Sequence, residues 1–373
     1  MPRKLIRRNI AYKTLGCRQV ASQRALDPSS EVRILPPQKN RELEANVKNL
    51  KLLIGRANPQ LGLDIARHLG IEPCKDTITN FNDGEIRFKI EENVRGMDVF
   101  IVQPTVPPAD NLLELLIMID AARRASANRV TAVIPYYGYA RQDRKDEPRV
   151  AISSKLVANL IVSAGADRVL TMDLHAPQIQ GFFDIPTDQL VSDLLFKRHI
   201  EEQILPSLKE KDRSKVVIVS PDIGGVKRVE TLAKRLDMEI AAIYKRRKVG
   251  SLQPEALKIV GDVKGKTAIL LDDIIDTAGT MREACKMLRN EGAEKIFICA
   301  THPLLSGPAM KRLDDTPMDS LTVTDSIPLS EDKKRDFIKT IPTGSFFAMA
   351  IHNIHFEKSV AILLDEKASL DLW

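Results

Sequence analysis

Two adjacent carboxylates follow a short apolar run in the stretch TAILLDDIIDTAGT, residues 267–280. The run 268–271 is typical of a buried parallel strand, so we expect the strand to end before Asp272 and Asp273. A loop between a strand end and a helix N-terminus attracts phosphate through free N–H groups and the helix dipole. Because the acids would repel that phosphate, we interpret them as acceptors for sugar hydroxyls or as ligands of a phosphate-bound Mg²⁺. The stretch therefore predicts a cradle for ribose 5-phosphate.

The loop after Ile275 offers further donors that suit a phosphate. It contains Asp276, Thr277, Ala278, Gly279 and Thr280. The two threonine hydroxyls can donate, and the glycine lets the backbone approach closely. A bare pair of acids would indicate only an acidic surface loop. The whole string, however, resembles the phosphoribosyl-diphosphate loop of the type I phosphoribosyltransferase superfamily.

Three other predicted strand ends carry polar side chains that could do chemistry. His175 follows an apolar strand and Asp173, and we predict a metal or phosphate role for it rather than a structural one. Asp222 follows the strand 216–220, at the start of PDIGGVKR. The strand 240–243 leads into YKRRK, whose four consecutive cations are either a solvated face or part of a mobile lid that closes over polyphosphate.

Two further segments favour nucleotide binding. The stretch 136–154, YYGYARQDRKDEPRVAISS, is too long for an ordinary connection. Its Tyr and Arg side chains can stack on a purine while its cations meet phosphates, although a solvated charged loop is the alternative. The segment FNDGE, 81–85, predicts a turn that leads into a half-exposed strand over 86–90.

These candidates need a scaffold of alternating strands and helices. Similar short sequences at 127–130, 166–169 and 293–296 each join a helix end to an apolar strand. Such alternation predicts an α/β fold with mainly parallel sheets flanked by helices, and its occurrence in both halves predicts two domains of like architecture. We predict the following divisions: a basic extension over 1–46, an N-terminal domain over 47–192 and a C-terminal domain over 193–373, with a last strand or helix within 342–364.

Composition limits the function classes. The chain has 373 residues, 43% of them hydrophobic, and no apolar run of 18, so we expect no membrane segment. The net charge is +6, but residues 1–50 hold 11 Lys and Arg against four acids, so the basicity does not indicate nucleic-acid binding. Four scattered cysteines indicate free thiols in a reducing compartment, and we expect a cytoplasmic protein. The basic N-terminus is either a disordered extension or an organelle transit peptide for a mitochondrion or plastid.

Six motifs together resemble the ribose-phosphate diphosphokinase family, the PRPP synthetases, over about residues 50–365. They are FNDGE, YARQDRK, DLHAPQIQGFFDIP, SPDIGGVKR, YKRRK and DDIIDTAGT, in that order. The resemblance implies two phosphoribosyltransferase-type domains and transfer of the diphosphoryl group of Mg-ATP to the 1-hydroxyl of ribose 5-phosphate, giving PRPP and AMP. It also implies a homo-hexamer activated by inorganic phosphate and inhibited by ADP.

The same resemblance assigns roles to individual residues. It implies that ATP is bound by Asp83, Gly84, Glu85, Arg141 and Gln142, and Mg²⁺ by His175 and Asp222. It implies that Lys245 and Arg247 are the catalytic cations. It implies that ribose 5-phosphate is bound by Arg247, Asp272, Asp273, Asp276, Thr277, Ala278, Gly279 and Thr280. It assigns Arg95 and Arg149 to a regulatory anion site between subunits.

Some features leave alternatives open. Arg56 and the segment AMAIHNIHF depart from the family pattern, which concerns regulation and subunit contacts rather than chemistry. His352 and His355 have no acid nearby in the sequence, so we expect them to be structural. A phosphoribosyltransferase that consumes PRPP would share the DDIIDTAGT loop, and a non-catalytic regulatory subunit would share the fold. Against the second alternative, Lys245 and Asp272 are both retained.

Overall fold

The computed structural model describes residues 47–208, 212–247 and 254–364, including their side chains except those of 245–247, 254–257 and 364. The predicted extension 1–46 and the middle of the predicted lid, 248–253, lie outside the described residues. The strands are β1 (Leu50–Ile54), β2 (Asp76–Asn80), β3 (Ile86–Ile90), β4 (Asp98–Val102), β5 (Arg129–Ile134), β6 (Arg168–Met172), β7 (Thr187–Leu190), β8 (Val216–Ser220), β9 (Glu239–Arg247), β10 (Pro254–Val260), β11 (Thr267–Ile275), β12 (Lys295–Pro303), β13 (Ser320–Thr324) and β14 (Ile338–Ile341).

Helices alternate with these strands as predicted. The first shows why: Asn58 accepts the N–H of Leu61, Pro59 opens the helix, and Gly70 ends it at φ 66°. The helices are α1 (Pro59–Leu69), α2 (Asp110–Arg124), α3 (Ser153–Ala164), α4 (Asp193–His199), α5 (Val226–Leu236), α6 (Gly279–Asn290), α7 (Ala309–Asp314) and α8 (Gly344–His355). Within the described ranges, none of them has the length and apolar character needed to span a bilayer.

The first sheet is entirely parallel, with the strand order β1-β4-β5-β6-β7. Alternate residues of its strands are buried on opposite faces, as expected for a parallel sheet that is covered on both sides. Val99 and Ile101 pack with helices α2 and α3, whereas Phe100 and Val102 pack with α1 and α8. The antiparallel pair β2-β3 stands beside this sheet, and the alternating exposure of β3 confirms the predicted half-exposed strand.

The second sheet has the order β10-β9-β8-β11-β12-β13-β14 and is parallel except for the pair β9-β10. Leu270 and Ile298 pack against α6 on one face, and Ile269 and Cys299 pack against α4 and α5 on the other. The two sheets confirm the predicted α/β fold.

Two strands are longer than predicted. We expected a strand to end at Leu271, but β11 continues to Ile275 because β12 runs beside it as far as Pro303. Asp272 and Asp273 therefore lie within a strand, where successive side chains point to opposite faces. Similarly, β9 was expected to end at Ile243 but continues to Arg247, because β10 supplies an antiparallel partner.

The last helix packs on the first sheet rather than on the second. Helix α8 contacts α1 so closely that a Cβ at Gly344 would lie 2.8 Å from Cβ of Asp64. At its other end, Nδ1 of His355 lies 2.8 Å from Oδ2 of Asp98, which also accepts from Arg129. The fold thus gives His355 the acidic partner that its sequence neighbourhood lacks. The predicted domain boundary at 192/193 remains a prediction, and the α8 contacts cross it.

Candidate active site

Side chains on or near the carboxyl ends of β6, in the first sheet, and of β8 and β11, in the second, contact one another. His175 follows β6, and its Nδ1 lies 2.7 Å from Oδ2 of Asp273 on β11. Arg228, in the first turn of α5, donates from Nη1 to Oδ1 of Asp273 at 3.1 Å. Because parallel strands end at a common edge, residues from distant parts of the sequence meet here.

The carboxylate of Asp273 is buried, with 5% of the side chain exposed, and both of its oxygens have protein partners. Burial alone would raise the pKa of Asp273, but the hydrogen bond with His175 and the charge of Arg228 lower it strongly. The pKa of His175 is raised by the same hydrogen bond, although burial opposes this. The contact is thus a charge-assisted pair between the two halves of the chain.

Asp272 behaves differently from its neighbour. Burial, followed by the negative charge of Asp273, raises the pKa of Asp272 well above its usual range, and Arg228 only partly offsets this. When two close carboxyl groups share one cation, their pKa values commonly move apart, because ionisation of the first opposes ionisation of the second. The sequence assigned both acids to a sugar, but the structure gives them different surroundings.

The loop after β11 has a cation on either side. Arg141 donates from Nη1 to Oδ2 of Asp276 at 2.8 Å. Burial tends to raise the pKa of Asp276, but the hydrogen bond and charge of Arg141 lower it overall. Arg312, on α7, donates to the carbonyl of Thr277 at 2.9 Å, and its Nη1 lies 3.3 Å from the position of a Cβ on Gly279. An anion in this loop would therefore lie near two guanidinium groups.

Helix α6 begins inside this loop. Ala278 adopts φ 57°, a left-handed conformation that is unusual for a residue with a side chain, and the helix starts at Gly279. Thr277 and Thr280 are exposed beside that start. The predicted combination of hydroxyls and free backbone N–H groups at a helix N-terminus is present.

The residues predicted for ATP fall into two groups. Arg141 and Gln142 are exposed at the beginning of the long charged loop, where Arg141 contacts Asp276 in the loop after β11. Asp83, Gly84 and Glu85 are exposed at the turn of the β2-β3 hairpin, where Asp83 accepts the N–H of Glu85 at 3.1 Å. In the described parts of the chain, no hydrogen bond or ion pair joins that turn to Arg141.

Asp222 follows β8, and the two predicted catalytic cations lie on the neighbouring strand β9. Asp222 is exposed, and its Oδ1 accepts the N–H of Gly225 at 3.0 Å at the start of α5. Lys245 and Arg247 lie on β9, opposite Leu257 and Pro254, and their side chains are outside the described residues.

Arg95 and Arg149, the two residues of the predicted regulatory anion site, are both exposed. Arg149 has φ 67°, and the backbone N–H of Arg95 donates to Asn93. No described hydrogen bond or ion pair links these two arginines, so the predicted anion site between subunits stays a prediction.

The structure adds two residues to the site that the sequence reasoning missed. Neither Arg228 nor Arg312 was assigned a role from the sequence. Arg228 could have been found from the sequence, because it stands six residues after Asp222, near the same strand end. Arg312 could not have been found in this way, because it reaches the loop from a helix more than 30 residues later in the chain.

The residues predicted for Mg²⁺ fit an ion held largely by its substrate. The described residues contain no cluster of three or more His, Cys, Asp and Glu side chains arranged to hold a metal. Mg²⁺ commonly takes one or two protein ligands and completes its shell with phosphates and waters. The bond between Nδ1 of His175 and Asp273 leaves Nε2 free to act as a ligand, an arrangement typical of metal-binding histidines.

Comparison with known proteins identifies relatives over most of the chain. Residues 50–165 match the family model of the N-terminal domain of ribose phosphate pyrophosphokinase, and 248–365 match that of the phosphoribosyl synthetase-associated domain. Ribose-phosphate pyrophosphokinase of Chlorobaculum tepidum is 50% identical over 318 residues, which cover 85% of this chain and 96% of that protein. The enzyme of the same name from Staphylococcus epidermidis is 48% identical, with coverage of 85% and 97%.

A crystal structure agrees with these sequence matches. Phosphoribosylpyrophosphate synthetase from Mycobacterium smegmatis superposes with a TM-score of 0.77 at 41% identity, covering 83% of this chain and 99% of that one. The predicted resemblance and the phosphoribosyltransferase-type α/β fold are confirmed. The chain belongs to the ribose-phosphate pyrophosphokinase family.

Proposed function

We propose that this chain is a ribose-phosphate diphosphokinase, which makes PRPP and AMP from Mg-ATP and ribose 5-phosphate for nucleotide biosynthesis. Relatives named ribose-phosphate pyrophosphokinase at 48–50% identity support this activity. The observation that carries it is the 2.7 Å contact between His175 and Asp273. It joins a motif assigned to metal and nucleotide to a motif assigned to the sugar phosphate.

The reaction requires positioning more than covalent chemistry. The 1-hydroxyl oxygen of the sugar bonds to Pβ, the bond from Pβ to the α,β-bridging oxygen breaks, and AMP leaves with that oxygen and its electron pair. The hydroxyl proton is released. Such transfers depend on alignment and on neutralising charge, so no Ser-His or Cys-His set is needed.

The loop at the start of α6 receives the sugar phosphate in this proposal. The backbone of 277–280 and the hydroxyls of Thr277 and Thr280 hold the phosphate, with Arg312 close by. Asp272 and Asp276 hold the sugar hydroxyls. The carboxyl oxygens of both residues can accept hydrogen bonds from these hydroxyls. Asp273 contributes by holding His175.

ATP binds on the side of the first sheet. Arg141 and Gln142 bind it directly, and the turn formed by Asp83, Gly84 and Glu85 contacts the adenosine part. His175 and Asp222 are the residues that would hold Mg²⁺, which supplies charge neutralisation at the β- and γ-phosphates when bound. Arg228 keeps Asp273 ionised and so preserves the orientation of His175.

Lys245 and Arg247 act on the leaving group. In this proposal the ribbon formed by β9 and β10 brings these cations to the α,β-bridging oxygen, where negative charge develops. Loss of one such contact commonly raises a reaction barrier by about 3 kcal/mol. Arg247 also meets the sugar phosphate.

Assembly, regulation and compartment complete the proposal. The chain works as a homo-oligomer, a hexamer, with domains over 47–192 and 193–373. Inorganic phosphate activates it and ADP inhibits it, and Arg95 and Arg149 contribute to the anion site. It acts in the cytoplasm, or in an organelle if the basic extension is a transit peptide.

The test is to incubate the purified protein with Mg-ATP and ribose 5-phosphate and to measure AMP and PRPP at several phosphate concentrations. We expect equal amounts of both products. Lys245→Ala should lower turnover at least about a hundredfold with ATP affinity little changed, because the lost contact forms in the transition state. Lys258→Ala, an exposed cation on β10, is the control and should keep full turnover.

Two results would overturn the proposal. Consumption of PRPP with a nucleobase, without AMP formation from ATP, would make the chain a phosphoribosyltransferase. No turnover alone, together with an effect on the rate of an active synthetase, would make it a regulatory subunit.

A further inference from the structure

A buried polar cluster lies directly behind His175 and joins the two sheets. Asp173, which follows β6, accepts hydrogen bonds from the N–H and the hydroxyl of Ser192. It also accepts from the hydroxyl of Thr301 on β12 at 2.5 Å. Asp173 itself has φ 37°, a left-handed conformation that is uncommon for a residue with a Cβ. The turn that carries His175 is thus held from the second sheet.

His302, the neighbour of Thr301 on β12, completes the cluster. Its side chain is almost fully buried, with 1% of the residue exposed. Nε2 lies 3.2 Å from the carbonyl oxygen of Asp173 and Nδ1 lies 2.9 Å from Oγ of Ser326. A carbonyl can only accept, so Nε2 carries the proton. In the neutral ring Nδ1 then accepts the hydroxyl hydrogen of Ser326, which also has the Thr301 carbonyl oxygen within 3.2 Å. Burial lowers the pKa of His302, which agrees with this neutral ring.

Simple packing does not require a histidine at this position. The ring meets the edge of Tyr136 at a centroid distance of 5.0 Å, a contact that Phe or Leu could also make. Burying an imidazole is costly unless both nitrogens are hydrogen-bonded, and here both are. The two hydrogen bonds have a specific consequence, since one of them holds the backbone carbonyl two residues before His175.

We propose that His302 is a positioning residue for the nucleotide side of the site. Its Nε2–H fixes the Asp173 carbonyl and so the left-handed turn, which directs Nδ1 of His175 to Asp273 and leaves Nε2 of His175 for the metal and the nucleotide phosphates. His302 itself touches no substrate. The part of this inference that concerns Mg-ATP rests on the proposed function, whereas the part that concerns the orientation of His175 does not.

The test compares His302→Leu, which removes the donor, with His302→Gln, whose amide can replace it. Calorimetric titration would measure the affinity for the Mg²⁺ complex of a non-hydrolysable ATP analogue and, separately, for ribose 5-phosphate. Loss of a residue that orients a metal ligand commonly weakens binding about 10- to 100-fold. We expect that loss for the nucleotide complex in the Leu variant, about a twofold change or less for ribose 5-phosphate, and recovery in the Gln variant.

Crystal structures of the metal-free variants give a second readout that does not depend on activity. In the Leu variant we expect the 2.7 Å contact between His175 and Asp273 to be lost, and in the Gln variant to remain. Ser326→Ala is a milder variant should the Leu protein fail to fold. It removes the hydroxyl that faces Nδ1 of His302 and that also contacts the Thr301 carbonyl and accepts from Thr324, and we expect an intermediate loss of nucleotide affinity.

The outcomes separate the two proposals. A preserved contact in the Leu variant, wild-type nucleotide affinity in the Ser326→Ala variant, or equal weakening of both ligands with no recovery in the Gln variant, would make His302 merely structural. Wild-type protein that binds neither ligand would contradict the proposed function, and the variant structures would still decide whether His302 orients His175.

Discussion

The two sheets are joined by buried polar contacts in one region and by an exposed ion pair in another, and the two regions differ in what they can do. The buried region contains Asp173, Thr301, His302 and the carboxylate of Asp273, which His175 contacts with a ring that is 40% exposed. The exposed region is the pair of Arg141 with Asp276, in which 51% of the Arg141 side chain is accessible to solvent. The first region fixes a geometry, whereas the second can exchange its partners when ligands arrive.

The energies of the two kinds of contact explain this difference. A buried charged group that loses its partner costs several kcal/mol, because no water replaces the partner. An exposed ion pair contributes about 0.2–1 kcal/mol, because solvent solvates both groups when they separate. A ligand phosphate can therefore take Arg141 from Asp276 at little cost.

The largest effect should follow from removing the charge of Asp273. Asp273→Asn leaves Arg228 without its closest anionic partner and weakens the contact with His175, so we expect the free energy of unfolding to fall by about 3 kcal/mol. Urea denaturation at neutral pH would measure this. Asp272→Asn is the control: Asp272 lies farther from Arg228, at 3.7 Å, and burial and the charge of Asp273 already oppose its ionisation, so stability should change by less than about 1 kcal/mol or rise slightly. Equal losses in both variants would contradict the different surroundings of the two acids.

A smaller effect should come from a single hydroxyl in the buried region. Thr301→Val keeps the shape but removes a hydrogen bond to a carboxylate, and such bonds contribute about 1.5–3 kcal/mol. The control is Thr131→Val on β5, because the buried hydroxyl of Thr131 has no hydrogen-bond partner in the described structure. That change should be neutral or stabilising. Thermal unfolding of the two variants side by side would compare their losses of stability. A larger loss in Thr131→Val than in Thr301→Val would contradict a stabilising role of the buried region.

The smallest effect should appear in the exposed region, and in binding rather than in stability. Arg141→Ala releases Asp276 for the sugar, so affinity for ribose 5-phosphate without nucleotide should rise about two- to fivefold, the equivalent of an exposed ion pair. Calorimetric titration at low and high salt would test this, and the gain should shrink as salt screens the wild-type pair. An unchanged or lower affinity would mean that Arg141 does not compete with the sugar.

Much of the scaffold could be predicted because its signals are local. The apolar runs of β4, β8 and β12 and the apolar faces of α1 and α6 lie within short windows of sequence, and their alternation determines a parallel sheet. The strand pattern placed His175, Asp222 and Asp272 each at or just after a strand end, and the resemblance, rather than that pattern, assigned His175 and Asp222 together to Mg²⁺.

The partners of these residues could not be predicted in the same way. Asp273 contacts His175 and Arg228 because β11 extends past Leu271, and that extension depends on the length of β12 rather than on anything within 267–280. The left-handed turn at Asp173 is stabilised by hydrogen bonds from residues 19 and more than 120 positions away. Such contacts are properties of the assembled sheets and leave no local pattern.

The docking of helix α8 on the first sheet sets an order of events on the ribosome. Helix α1 covers part of the face formed by Phe100, Val102 and Leu170. The rest is covered only when Phe346, Phe347 and their neighbours have been synthesised, about 150 residues after β7 is complete. At roughly 5–20 residues per second, this face waits on the order of ten seconds or more before its cover emerges. We therefore expect chaperones that bind apolar surfaces to bind the nascent N-terminal half. A product truncated before residue 344 would keep this apolar face exposed permanently.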